Sequence, residues 1–251
     1  MSVIAPKISI ITVVYNGGKL LEKTMCSIFA QTYSNLEYIV VDGKSTDNTM
    51  EIVARYKSKI AQVISEKDSG LYDAMNKGLK VATGDYVWFV NCGDQICEPN
   101  TIEKMLADGQ DIDVYYSDTE LIDDRGEFLS MLSEIGHNNA PDPLTWKSME
   151  RGMVVCHQSF VVKRSIAPGF DLKYKISADI DWVIKCLKQS RSNRKLPFPL
   201  SKFLVGGVSS ENRWRAVRER FVLYQYHYGF LRNLYNHLFV LGRVFKNALK
   251  N

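Results

Sequence analysis

The chain has 251 residues, 45% of them hydrophobic, and a formal net charge of +4. That length buries one substantial core, and five cysteines with no CxxC pair exclude the usual zinc spacing and point to reduced, mostly buried thiols of a cytosolic protein. The charge is uneven: residues 211–251 hold eight Lys/Arg against two Glu, a local +6, so the first 210 carry −2. This confines the basic excess to a tail and argues against a nucleic-acid-binding domain.

Met1 to Lys7 is too short for a signal peptide, and none is expected. Ile8 to Val14 is a buried strand closed by Tyr15-Asn16-Gly17-Gly18. Lys19 to Gln31 carries apolar residues at helical spacing. Leu36 to Val41 is a second strand, ending in Asp42-Gly43. Ser45 to Asn48 supplies a helix N-cap before a helix over Thr49 to Lys57. A short strand over Ala61 to Ser65 and a polar loop precede a helix over Leu71 to Val81. Tyr86 to Val90 is an apolar, aromatic strand that ends abruptly in Asn91-Cys92-Gly93-Asp94. Four strand–helix alternations in 95 residues predict a mostly parallel sheet flanked by helices, a Rossmann-like α/β domain.

After Asp94 the rhythm changes. A helix is expected over Asn100 to Ala107, and strands over Val114 to Ser117 and Phe160 to Val162. A hairpin is expected around Asp123-Asp124-Arg125-Gly126, and a helix over Ala178 to Gln189. From Trp214 a stripe of Trp214, Val217, Phe221, Tyr224, Tyr228, Leu231, Tyr235, Leu238, Phe245 and Leu249 runs with helical spacing, with Gly229 and Gly242 as candidate breaks. The division is therefore 1–210 for the α/β domain and 211–251 for an amphipathic, basic helical extension. Such a stripe fits the interface of an anionic membrane, or packing on the domain or on a second subunit. No stretch is long and apolar enough to span a bilayer.

Ligands of open α/β sheets sit at strand carboxyl ends, and Asp42, Asp68 and Asp94 all fall there. A dinucleotide fingerprint is absent. Gly43-Lys44-Ser45-Thr46 is not a complete phosphate-binding loop, because position 38 is Tyr where that loop needs Gly.

The blocks Ser9 to Asn16, Val40 to Asp47, Glu66 to Gly78, Gly84-Asp85-Tyr86 and Asn91 to Asp94 resemble, in order and spacing, glycosyltransferase family 2, the inverting GT-A enzymes. The resemblance spans roughly residues 7–210 and is closest to bacterial exopolysaccharide, capsule and O-antigen synthesis. It implies that Thr12, Tyr15, Asn16 and Asp42 hold the nucleotide of a nucleotide-sugar donor, and that Asp68, Asp73, Asn76 and Lys77 line the rest of its pocket. Asn76 and Lys77 also fit a plain exposed helix face. Asn91-Cys92-Gly93-Asp94 stands at the family's DxD metal motif, with Asn in the first place. This implies Asp94 as ligand to Mg²⁺ or Mn²⁺ and Asn91 as a donor-sugar contact. Ser177-Ala178-Asp179 resembles the family's Glu-Asp segment with Ala for Glu, which implies Asp179 as the catalytic base. A helix-capping role for Asp179 is the plainer alternative. His157 and Gln158 resemble a segment near both sugars, and the stretch around Gly207 resembles a late loop that closes over the diphosphate. The implied partners are a nucleotide sugar, UDP-linked for preference, and a polyprenyl-diphosphate-linked or oligosaccharide acceptor. The implied location is cytoplasmic, peripheral on the inner face of the membrane. A nucleotidyltransferase and a non-catalytic nucleotide-sugar-binding component of a polysaccharide assembly complex remain as rivals.

Overall fold

The computed structural model describes residues 5–107, 109, 111–135, 139–206 and 213–248. Its elements in chain order are β1 (Ile8–Val14), α1 (Gly18–Phe29), β2 (Leu36–Asp42), α2 (Thr49–Arg55), β3 (Gln62–Ser65), α3 (Leu71–Val81), β4 (Tyr86–Phe89), β5 (Gln95–Ile96), α4 (Thr101–Ala107), β6 (Val114–Tyr116), β7 (Thr119–Ile122), β8 (Phe128–Met131), β9 (Phe160–Lys163), α5 (Ala178–Gln189), β10 (Asn193–Lys195), β11 (Ser201–Leu204), α6 (Arg213–Tyr228) and α7 (Phe230–Ala248).

All seven residues of β1 are buried, as expected for a strand covered on both faces. It pairs in parallel with β2 on one side and β4 on the other. The main sheet runs β10-β6-β9-β4-β1-β2-β3, and β9 alone is reversed, antiparallel to both β4 and β6. That reversal matters for the site. Val87 faces Val162 across the pair, so the residues preceding β9 lie beyond the carboxyl end of β4. His157 and Gln158 are thereby brought to the edge where Asn91 and Asp94 emerge.

A second sheet, β5-β11-β7-β8, packs beside the first. Its β7–β8 pair is the expected hairpin. β11 runs antiparallel to β5, which carries its end onto Asp94. Helix α3 lies unusually close to the sheet: a Cβ on Gly78 would stand 2.5 Å from the Ile11 side chain. Any larger residue would push α3, and the loop preceding it, off β1.

At the amino edge of the sheet a deeply buried carboxylate is fully partnered. Glu37 accepts from Ser9 Oγ (2.6 Å), Lys7 Nζ (3.0 Å) and Thr83 N (2.7 Å). Burial alone would raise its pKa, but those donors hold it at about 2. This end is built for stability.

The cap of α2 comes from within the expected Ser45 to Asn48: Asp47 Oδ1 accepts from Thr49 N at 3.0 Å, while Asn48 occupies the cap position without a side-chain bond. The tail is two helices. It breaks at Gly229, which takes a left-handed φ of +83°, and runs straight through position 242. The first of them, α6, is packed onto the domain: Leu223 and Tyr224 belong to the same apolar cluster as α5. His227 Nε2 meets the fully buried Asp181 at 2.7 Å, and Tyr228 Oη donates to the Trp146 carbonyl. Leu249 and Lys250 lie outside the described residues.

Candidate active site

Asp42 ends β2 level with Val14 of β1. Cys92 N reaches Val13 O at 3.2 Å, so the turn after β4 stands at almost the same height. β2 and β4 flank β1, and two inter-strand steps of about 4.8 Å put the two strand ends about 10 Å apart. The edge thus offers two clusters, one on each side of β1.

The first cluster centres on Asp42, which is fully buried. Its carboxylate accepts from Ser45 N at 3.1 Å and from Ser65 Oγ at 2.6 Å. Asp68 packs against Gly43, and the Tyr15 ring lies on the same glycine. Asp68 Oδ1 also takes Gly70 N at 2.9 Å. Asn16, at φ +49°, braces the loop by accepting from Thr46 N at 2.8 Å. Tyr15 is largely exposed, free to cover a planar ligand.

The second cluster is a chain of contacts. Tyr72 Oη lies 3.1 Å from Asp179 Oδ1 and 2.8 Å from the Ile176 carbonyl. Asp179 Oδ1 also takes Ile180 N at 2.9 Å, and Oδ2 faces His157 Nδ1 at 3.4 Å. His157 Nε2 in turn stands 3.2 Å from Asn91 Nδ2. An Asn91 amide that donates here makes Nε2 the acceptor and leaves the proton on Nδ1, aimed at Asp179. Burial would raise the Asp179 pKa. His157, the Ile180 N–H and Tyr72 outweigh it and hold the carboxyl below its ordinary value. Its side chain is 17% exposed, enough for one more contact.

Next to this chain lies Asp94, 4% exposed. Gln158 Nε2 donates to its Oδ2 at 2.9 Å and Leu204 N to its Oδ1 at 3.1 Å. Burial nevertheless pushes the Asp94 carboxyl up to about 6. Gly93 before it takes φ +101°, with Leu204 packed where a Cβ would be. Asn91 Oδ1 is buried and takes no donor among the described residues. A buried carboxylate short of positive charge, and an unpaired amide oxygen three residues before it on the same turn, are donors of the kind a hard divalent cation takes. Those residues contain no cluster of three ligating side chains, so the remaining ligands would come from donor phosphates and water. Cys92 and Cys156 border the cluster as half-buried thiols that desolvation pushes up to about 12, which keeps them unreactive.

The structure gives four of the expected donor contacts other work. Thr12 is fully buried and ties β1 to β4 through Val90 O at 2.7 Å. Asn76 spends its amide on the Phe170 backbone, donating at 2.9 Å and accepting at 2.7 Å, so it fixes the loop under Asp179. Asp73 closes its own turn by accepting from Ser69 N. Lys77 pairs with Glu66 at 2.9 Å. Gly207 lies outside the described residues. Tyr72, Ser65 and the Leu204 amide were not anticipated. Tyr72 stands inside the Glu66 to Gly78 block, but its spacing fits a core residue equally well.

The mostly parallel sheet with a single reversed strand is that of the GT-A fold. The model described as Glycosyl transferase family 2 matches residues 9–167, and the chain belongs to that family. It is 29% identical over 228 residues to a PGL/p-HBAD biosynthesis glycosyltransferase of Mycobacterium bovis, covering 87% of this chain and 81% of that one. It is 26% identical over 227 residues to the Bacillus subtilis glycosyltransferase TuaG, named for teichuronic acid biosynthesis, covering 88% of each. Among solved structures, S. aureus TarS 1–349 in complex with UDP superposes with a TM-score of 0.67 at 21% identity, over 86% of this chain and 65% of that one. The mannosyltransferase PcManGT of Pyrobaculum calidifontis, in complex with GDP-Man and Mn²⁺, superposes with a TM-score of 0.66 at 17% identity, over 87% and 63%. The chain thus spans a little under two thirds of these structural neighbours.

Proposed function

We propose that this glycosyltransferase moves a sugar, with inversion at the anomeric carbon, from a UDP-sugar to a hydroxyl of a lipid-linked glycan precursor in cell-surface polysaccharide synthesis. The observation that carries it is the linked set of Asp179, His157 and Asn91 beside Asp94, at the sheet edge that also presents Asp42. Relatives named for PGL/p-HBAD and teichuronic acid biosynthesis, and a neighbour in complex with UDP, support the class of product and donor.

Asp42 and the Tyr15 ring would hold the base and ribose. Asp94, with Asn91 Oδ1 on the same turn, would hold Mg²⁺ or Mn²⁺, which when bound neutralises charge on the leaving diphosphate. Asp179 Oδ2 would take the proton of the acceptor hydroxyl as its oxygen attacks C1 from the face opposite the diphosphate. The C1–O bond to the nucleoside diphosphate breaks and its electron pair leaves with that group. A panel of nucleotide sugars incubated with Mn²⁺ and membrane extract tests the reading. Nucleoside diphosphate should accumulate with one donor. Release of sugar 1-phosphate from the nucleotide sugar, or of pyrophosphate when UTP and a sugar 1-phosphate are supplied instead, would identify a nucleotidyltransferase, and donor binding without turnover a scaffold.

The acceptor's lipid calls for a membrane contact. No helix among the described residues is long and apolar enough to cross one. The tail nevertheless exposes Trp214 (89%), Leu231 (80%), Tyr235 and Leu238 within its basic stretch. Apolar and aromatic side chains of this kind insert at the headgroup boundary of anionic bilayers. Liposomes with anionic lipid should pellet the native chain, and the Leu231→Ser/Leu238→Ser variant should remain largely in the supernatant. Equal pelleting of both would contradict the tail's role.

A further inference from the structure

The segment that carries Asp179 is held in place by the tail. Helix α5 begins after Ser177, whose side chain provides no cap and whose Oγ is buried without a partner among the described residues. The N–H groups of the three residues leading into the helix find an acceptor in another helix. Glu219 of α6 takes Lys175 N at 3.0 Å, Ile176 N at 2.8 Å and Ser177 N at 3.2 Å. One side chain, 11% exposed, thus satisfies three consecutive amides and sets a negative charge at the positive end of α5. Arg215, one turn earlier on α6, fixes it by donating to Oε1 at 3.0 Å. Two turns later on the same helix, His227 grips Asp181 at 2.7 Å. Asp179 lies between these two points of attachment. Ile176, held by Glu219 through its N–H, presents its carbonyl to the same Tyr72 hydroxyl that touches Asp179.

We propose that Glu219 is a positioning residue for sugar transfer: as an acceptor supplied by the tail, it fixes the start of α5 and so the reach of the Asp179 carboxylate into the site. The inference rests on Asp179 being the base. It also ties the tail to turnover, beyond whatever the tail binds.

The test is a kinetic double-mutant cycle on the full chain, with saturating acceptor and measured donor KM. Displacing a reacting group by about 1 Å costs up to about 10²-fold, so Glu219→Ala should lower kcat about 10- to 100-fold with donor KM within about twofold. Glu219→Gln keeps one acceptor oxygen and should fall between Ala and the native residue. It also keeps the test available should the Ala variant not fold. In an Asp179→Asn background, Glu219→Ala should change the residual rate by less than about twofold, because no base is left to misplace. An unchanged kcat in Glu219→Ala, or an equal fold-loss in both backgrounds, would overturn the proposal. Normal turnover by Asp179→Asn alone would instead remove the base assignment itself.

Discussion

Asp179→Asn is expected to fold and to bind donor normally while kcat for sugar transfer falls about 10²- to 10⁴-fold, the range supplied by a positioned general base. The substitution keeps both contacts of one carboxylate oxygen and changes the contact of the other. An Asn carbonyl oxygen can still accept from Ile180 N and Tyr72 Oη, the two contacts of the present Oδ1. The amide nitrogen would replace Oδ2 opposite His157, which then offers a lone pair from Nδ1, carries its proton on Nε2 and requires the Asn91 amide to turn its oxygen toward the ring. What disappears is the ionised oxygen of a side chain that is 17% exposed. Because the folded-state pKa lies below the ordinary carboxylate value, Asp179 is ionised at and above that value. Its contribution to stability is likewise present above the unfolded pKa and lost as the pH falls through the folded one. The loss of kcat should therefore be uniform across neutral pH. Calorimetric titration of donor beside steady-state kinetics checks both halves of the expectation.

How far the chain could be read in advance follows from where each signal resides. β1 to β4 and α3 were legible because buried parallel strands are continuous apolar runs, and the helices between them carry a clean period. α5 spans the expected Ala178 to Gln189, since its apolar positions face a ring of Phe89, Phe160 and Phe170 around Trp182. β10, read as Asn-Arg-Lys, has no strand character of its own; pairing with β6 alone makes it one. The meeting of Asp94 with Gln158 and of His157 with Asn91 could be guessed only from a family resemblance, because it depends on β9 running backwards. Asn76 shows the opposite case. Its place in a donor-pocket motif suggested a ligand contact, yet a side-chain amide beside an unpaired backbone N–H and carbonyl is satisfied by Phe170 first. Glu219 had no local signal, since a cap supplied by a helix some forty residues downstream leaves no pattern in either segment.

Asp94→Asn carries the second large effect. With both its oxygens already accepting protein N–H groups, the carboxylate's particular contribution is charge. An Asn there keeps at most one of those contacts and cannot balance a divalent cation. The central claim is that the ends of β2 and β4 hold the two ends of one nucleoside diphosphate, with metal on the β4 side. The most direct measurement is calorimetric titration of UDP, with and without Mn²⁺, into the native chain and into Asp94→Asn. Mn²⁺ should tighten UDP binding to the native chain about 10- to 100-fold, or about 1.4–2.8 kcal/mol, and should do nothing for the variant. A metal enhancement of equal size in both proteins would contradict the account.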